Sequence, residues 1–121
     1  MKIYIICPVR KLNEKLKLKL DYYVKKLEDE GHIVHYPPRD VDQTDDNCGL
    51  NICIAHSKFM KEAEEVHIWW DETSRGSLFD MGMAFIMYMM KNEPRFVIIN
   101  KDNLLPTNHK SYLNVFLKIS K

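Results

Sequence analysis

Val66-His67-Ile68-Trp69-Trp70, followed at once by Asp71-Glu72-Thr73-Ser74-Arg75-Gly76, is the stretch that decides the fold. A continuous apolar run of this length suits a strand covered on both faces. The polar loop then gives way to an apolar segment, from about Ser77 to Lys91, long enough to be a helix. The same unit repeats outward. Upstream, Lys2–Cys7 is a short β-rich run closed by Pro8. Leu16, Leu20, Tyr23, Val24 and Leu27 then recur at helical spacing within Leu12–Glu30, and Gly31 supplies a stop. His32–Tyr36 reads as a second strand ended by Pro37-Pro38, and Arg39–Gly49 as a polar loop. A helix follows over about Leu50–Glu64, with Ile52, Phe59 and Ala63 near one face. Downstream, Arg95–Asn100 is a fourth strand and Lys110–Ile119 a closing helix. Strands alternating with helices of this length imply crossover connections, hence an α/β fold on a parallel sheet.

The 121 residues are expected to form a single domain spanning 1–121. Its 18 Lys+Arg against 17 Asp+Glu leave a formal charge of +1, which argues against a nucleic-acid polymer or a membrane surface as partner. A small molecule or a second copy of the chain fits better. Three cysteines, Cys7, Cys48 and Cys53, make no CxxC pair and leave one thiol over, as expected of a reduced, cytoplasmic protein. The five histidines lack the clustered spacing of a metal site, and no segment approaches the length of a membrane span.

In open parallel sheets, ligands bind beyond the carboxyl ends of the strands. The loops expected there begin at Cys7-Pro8, Pro37, Asp71 and Lys101. The first brings Arg10 beside a helix start, where free backbone N–H groups can hold an anion. The third carries Gly76, which lets backbone approach a ligand, with Ser74, Arg75 and Ser77 offering donors around it. Asp80 is expected in the first turn of the following helix, whose positive end would favour the ionised form a nucleophile needs. Ser77-Leu78-Phe79-Asp80 also spells a capping box, and Asp71 also suits a turn. The helix itself, with Met81, Met83, Phe85, Ile86, Met87, Met89 and Met90, has almost no polar face. One side can pack on the sheet; the other predicts a second subunit.

Tyr4 in the first strand, Ala63-Glu64-Glu65-Val66 leading into the third, and Gly76-Ser77-Leu78-Phe79-Asp80-Met81-Gly82-Met83-Ala84 together resemble the nucleoside 2-deoxyribosyltransferases and related nucleotide N-glycosidases. The Gly-x-x-x-carboxylate-x-Gly-x-Ala pattern is the most specific piece. The resemblance implies a flavodoxin-like three-layer fold with a four- to five-stranded parallel sheet. It implies cleavage or transfer at the bond between base and sugar, with Asp80 as nucleophile and Tyr4 as the hydroxyl that steadies it. It implies no cofactor, and a homodimer or higher oligomer whose sites borrow residues from a neighbour.

Three positions depart from the family pattern. The nucleophile is usually Glu, and Asp80 is shorter by one methylene, roughly 1.5 Å of reach. The acid that many members carry six residues earlier is Ser74 here, with Asp71 further back. Where many members place a base-contacting Asp on the second helix, this chain has His56. These changes favour hydrolysis, or nucleotide binding without turnover, over transfer between bases. Arg10, Ser74, Arg75 and Ser77, with Arg39 as a further candidate, could hold a phosphate.

Overall fold

The computed structural model describes residues 1–121 and contains four strands in one all-parallel sheet, ordered β2-β1-β3-β4. The central strand β1 (Lys2–Ile6) pairs with β2 (Ile33–His35) on one side and β3 (Glu65–Ile68) on the other; β4 (Arg95–Ile98) pairs with β3. Helices cover both faces, giving the flavodoxin-like three-layer arrangement with four strands rather than five. The chain leaves β1 toward β2 and then returns across β1 to β3. The two connections depart to opposite sides between β1 and β3, which is where such sheets open a crevice.

Alternation along the strands sorts the core into two. Tyr4, Ile6, Val66, Ile68, Phe96 and Ile98 face one side and pack with Met60, Met81, Ala84 and Phe116. These come from α3 (Leu50–Glu62), α4 (Arg75–Lys91) and α5 (Tyr112–Ile119). Ile3, Ile5 and Val34 face the other side and pack against Leu20 and Val24 of α1 (Glu14–Asp29). Asn13 caps α1 by accepting the Leu16 N–H at 2.8 Å. Gly31, at φ +95°, follows the helix in a conformation that favours glycine.

Several boundaries differ from expectation. Pro37 and Pro38 do more than end β2. They occupy the first positions of a short helix, α2 (Pro37–Asp40), where a missing N–H costs nothing. Strand β3 begins at Glu65 and stops at Ile68, so Trp69 and Trp70 lie beyond it, half-buried. The side-chain amide of Asn100 holds that exit, donating to the Trp70 carbonyl at 3.0 Å and accepting its N–H at 2.9 Å. The strand is buried on both faces, but not by apolar residues alone: Glu65 and His67 point to the α1 side. No helix is long and apolar enough to cross a membrane.

Candidate active site

Tyr4 sits in mid-strand with its ring on the α3/α4 face and is fully buried. Helix α4 brings Asp80 against it from above: the Tyr4 hydroxyl lies 3.4 Å from Oδ2 of Asp80 and donates to it. Helix α3 adds His56, whose Nδ1 is 3.1 Å from Oδ2 and 3.4 Å from Oδ1. Both Asp80 and His56 are 8% exposed. Three elements far apart in the chain therefore converge on one carboxylate.

The capping-box alternative for Asp80 does not hold. Helix α4 starts two residues earlier than its apolar pattern shows, at Arg75, and its N-cap is Ser74. Ser74 Oγ accepts the Ser77 N–H at 3.3 Å and donates to Ser77 Oγ at 2.8 Å. Asp80 is thus in the second turn, not the first, and no acid occupies the first turn. The field of a helix terminus falls off within one turn. What faces the Asp80 carboxylate is Tyr4 and His56.

A second layer lies behind this contact. His35, paired with Tyr4 across β1 and β2, stacks on Tyr4 with ring centroids 5.3 Å apart. Phe59 of α3 stacks on His35 at 3.6 Å and 16°. The His56 ring meets Tyr4 edge-on at 6.0 Å. Burial, reinforced by the Asp80 charge, keeps the Tyr4 phenol protonated far above its ordinary range. It is therefore a donor toward Asp80 at any physiological pH. Burial and then Asp80 push the Cys7 thiol up to about 12, so Cys7 stays neutral and is no nucleophile. Burial lowers the pKa of His35, favouring its neutral form.

Of the residues singled out in the sequence, the structure assembles Asp80, Tyr4 and His56. Cys7 packs instead on the α1 face with Ile3, Ile5 and Leu20, and Pro8, next in the chain, is buried just past the end of β1. Ser74 and Ser77 shape the start of α4 but spend their hydroxyls on each other. Gly76 is exposed within α4, and a side chain there would meet nothing within 4 Å, so the fold itself does not demand glycine. Arg10 is exposed and pairs with no acid.

Two candidates take structural roles instead. Oδ1 of Asp71 accepts the Thr73 N–H at 2.9 Å and the Thr73 hydroxyl at 2.7 Å, the pattern of a turn. Arg39 is drawn to Glu28 at 2.6 Å and Asp40 at 2.7 Å and also donates to the Val34 carbonyl. Its guanidinium is committed to fastening α2 onto α1, not to a phosphate. His35 and Phe59, in turn, are site residues the sequence reading missed. The signal for His35 was its parity: it pairs with Tyr4 and so faces the same side.

Two surface clefts, of about 480 and 470 Å³, lie along α1/α2 and along α3. Neither is lined by Asp80, although the second reaches Phe59. No three His, Cys, Asp or Glu side chains are grouped to hold a metal ion. Comparison with protein-family models, curated proteins and solved structures gives no match to this chain.

Proposed function

We propose that this protein cleaves the N-glycosidic bond of a (deoxy)nucleoside or nucleotide, or transfers the sugar across it, with Asp80 as the attacking carboxylate. The observation that carries the reading is the buried contact of the Tyr4 hydroxyl with Asp80, at the β1/β3 divergence of a parallel sheet. A carboxylate with one oxygen steadied by a neutral donor is equipped for nucleophilic attack on an anomeric carbon. Oδ2 takes the Tyr4 hydroxyl, while the His56 imidazole lies within 3.4 Å of both oxygens and makes its hydrogen bond to Oδ1. In this reaction a C–O bond forms from a carboxylate oxygen of Asp80 to the anomeric carbon as the C–N bond breaks. The electron pair departs with the base.

Exposed Arg10, at the same sheet edge, is the cation best able to meet a substrate phosphate. The test is release of free base from a panel of nucleosides, their monophosphates and NAD, with wild type and Asp80→Asn side by side. Base released by wild type and at least 100-fold less by Asp80→Asn is the expected result. No release from any member, or equal release by the variant, overturns the reading.

A second reading, a nucleotide-binding protein without turnover, draws on the enclosure of Asp80, whose side chain is only 11% exposed. It expects a thermal shift with nucleotide and no base release. No shift with any nucleotide sinks it.

A further inference from the structure

His56 carries one feature that holding Asp80 does not explain. Its Nδ1 is spent on the carboxylate, while Nε2 is buried and has no hydrogen-bond partner in the protein. The residue is more than nine-tenths buried, so this nitrogen is not satisfied by bulk solvent. A neutral imidazole that donates Nδ1–H to a carboxylate is fixed in the tautomer whose Nε2 bears a lone pair. The pair is then an oriented base: Asp80 sets the ring, and Nε2 is the atom left to accept a proton.

We propose that His56 is the water-activating base of this site, which makes the enzyme a hydrolase rather than a transferase. The inference rests on Asp80 being the nucleophile. After base departure the sugar is esterified to Asp80. A water oxygen then bonds to the anomeric carbon as the ester C–O bond breaks, and the electron pair returns to Asp80. The proton from water goes to His56 Nε2 and onward to solvent. The geometry favours this step because two charges appear together. The carboxylate is restored at the moment the imidazole becomes cationic, and the two are already 3.1 Å apart. That attraction exists only as the second step proceeds, and interactions of this kind are the ones that raise kcat. Nε2 is enclosed, and neither surface cleft is lined by His56, so an acceptor as small as water is favoured over a second base, which would have to displace more of the surrounding side chains. His35, stacked on Tyr4, has its own unpartnered, buried Nε2 on the same face of the sheet.

The test uses His56→Asn, in which the amide keeps a donor near the Nδ1 position but nothing replaces Nε2. With the best-cleaved member of the substrate panel, rapid quenching should show a burst of free base equal to the enzyme. Steady-state turnover should fall by roughly 100- to 10,000-fold, the range of general-base catalysis. Intact mass should show the sugar accumulating on the protein. Azide, an anion that needs no base, should restore turnover and yield the glycosyl azide. Turnover within threefold of wild type overturns the proposal, as does equal loss of burst and turnover, or failure of azide to rescue. Asp80→Asn should lose burst and adduct together. If it releases base like wild type, or if wild type releases none, the reading of Asp80 as nucleophile falls, and the role of His56 with it. Should His56→Asn not fold, the wild-type solvent isotope effect decides instead. It should be normal on turnover and absent from the burst; its absence from turnover overturns the proposal.

Discussion

The Tyr4 hydroxyl and the Asp80 carboxylate, 76 positions apart in sequence, meet at 3.4 Å inside the protein, and each is enclosed by the fold that joins them. The phenol cannot ionise at working pH, so its only electrostatic contribution is the O–H it turns toward Asp80. Tyr4→Phe removes that hydroxyl and keeps the ring on which His35 stacks. A hydrogen bond to a charged acceptor is worth about 1.5–3 kcal/mol, and the 3.4 Å separation puts this one at the weak end. We predict roughly a tenfold loss of base release, with thermal stability changed by no more than about 1 kcal/mol. Unchanged activity in Tyr4→Phe would remove Tyr4 from the machinery.

Ser74 supports the site from further away. It caps the helix that carries Asp80, and no acid in the first turn shares the task. Losing such a cap costs about 1 kcal/mol, so Ser74→Ala should lower the Tm by roughly 3–5 °C for a chain of this size. Activity per folded molecule should stay near wild type, because Asp80 is held from the second turn by Tyr4 and His56. Differential scanning calorimetry beside the base-release assay separates the two effects. A stable but inactive Ser74→Ala would give the serine a direct role instead.

How much of this is legible in the sequence depends on whether the signal is local. The strand–helix order follows from short apolar runs, Gly31 and Pro8, all readable within a few residues. Asp80 is marked by its neighbours. What fails is whatever depends on exact starts and distant partners. Ser77 opens a capping box in the sequence, and only the backbone shows that Ser74 takes the role. Arg39 looks like a free cation until Glu28, on another helix, is seen to hold it. His56 is marked in the sequence by its place in the family pattern, but its contact with Asp80 is not, because the helix phase relative to the sheet sets its burial. Glu65 and His67 escape for a related reason: a strand that is apolar on average still hides two polar residues facing α1.

Those two residues make a pH-dependent network. His67 Nε2–H donates to Glu65 Oε1 at 2.9 Å, leaving Nδ1 to accept the Tyr23 hydroxyl at 2.6 Å, while Lys121 pairs with the other Glu65 oxygen. Burial lowers the His67 pKa below 6.5, more than the Glu65 charge raises it. Burial would raise Glu65, but Lys121 and His67 outweigh it and hold the carboxyl below 4.5. The unfolded chain therefore binds more protons than the folded one below pH 6.5 through His67, and again below 4.5 through Glu65. Stability should be level between about pH 7 and 8, decline as pH falls through 6.5, and decline further in stronger acid. His35, also lowered by burial, adds to the first decline. Tm followed from pH 8 to 4 should show a shallower first limb in His67→Gln. An identical slope in that variant would discount the network.

The last expectation concerns α4, whose outer side the single chain leaves open. Phe79, Ile86, Met89 and Met90 are 56%, 55%, 61% and 78% exposed and follow one another at helical spacing. The inner side is filled by Met81 and Ala84, so the helix is not buried all round as a lone subunit. Four large apolar side chains in one stripe, on a helix whose other side carries Asp80, form a patch that soluble monomers seldom present. Methionine adapts its shape to a facing surface, and an isologous contact would set two such stripes against each other. We predict a homodimer by size-exclusion chromatography with light scattering at micromolar concentration. Ile86→Glu with Met90→Glu should give a folded monomer, because each two-fold contact would bury like charges. If the site also draws a residue from the partner, that monomer should lose base release while keeping its Tm. A wild-type monomer at the same concentration would refute the contact.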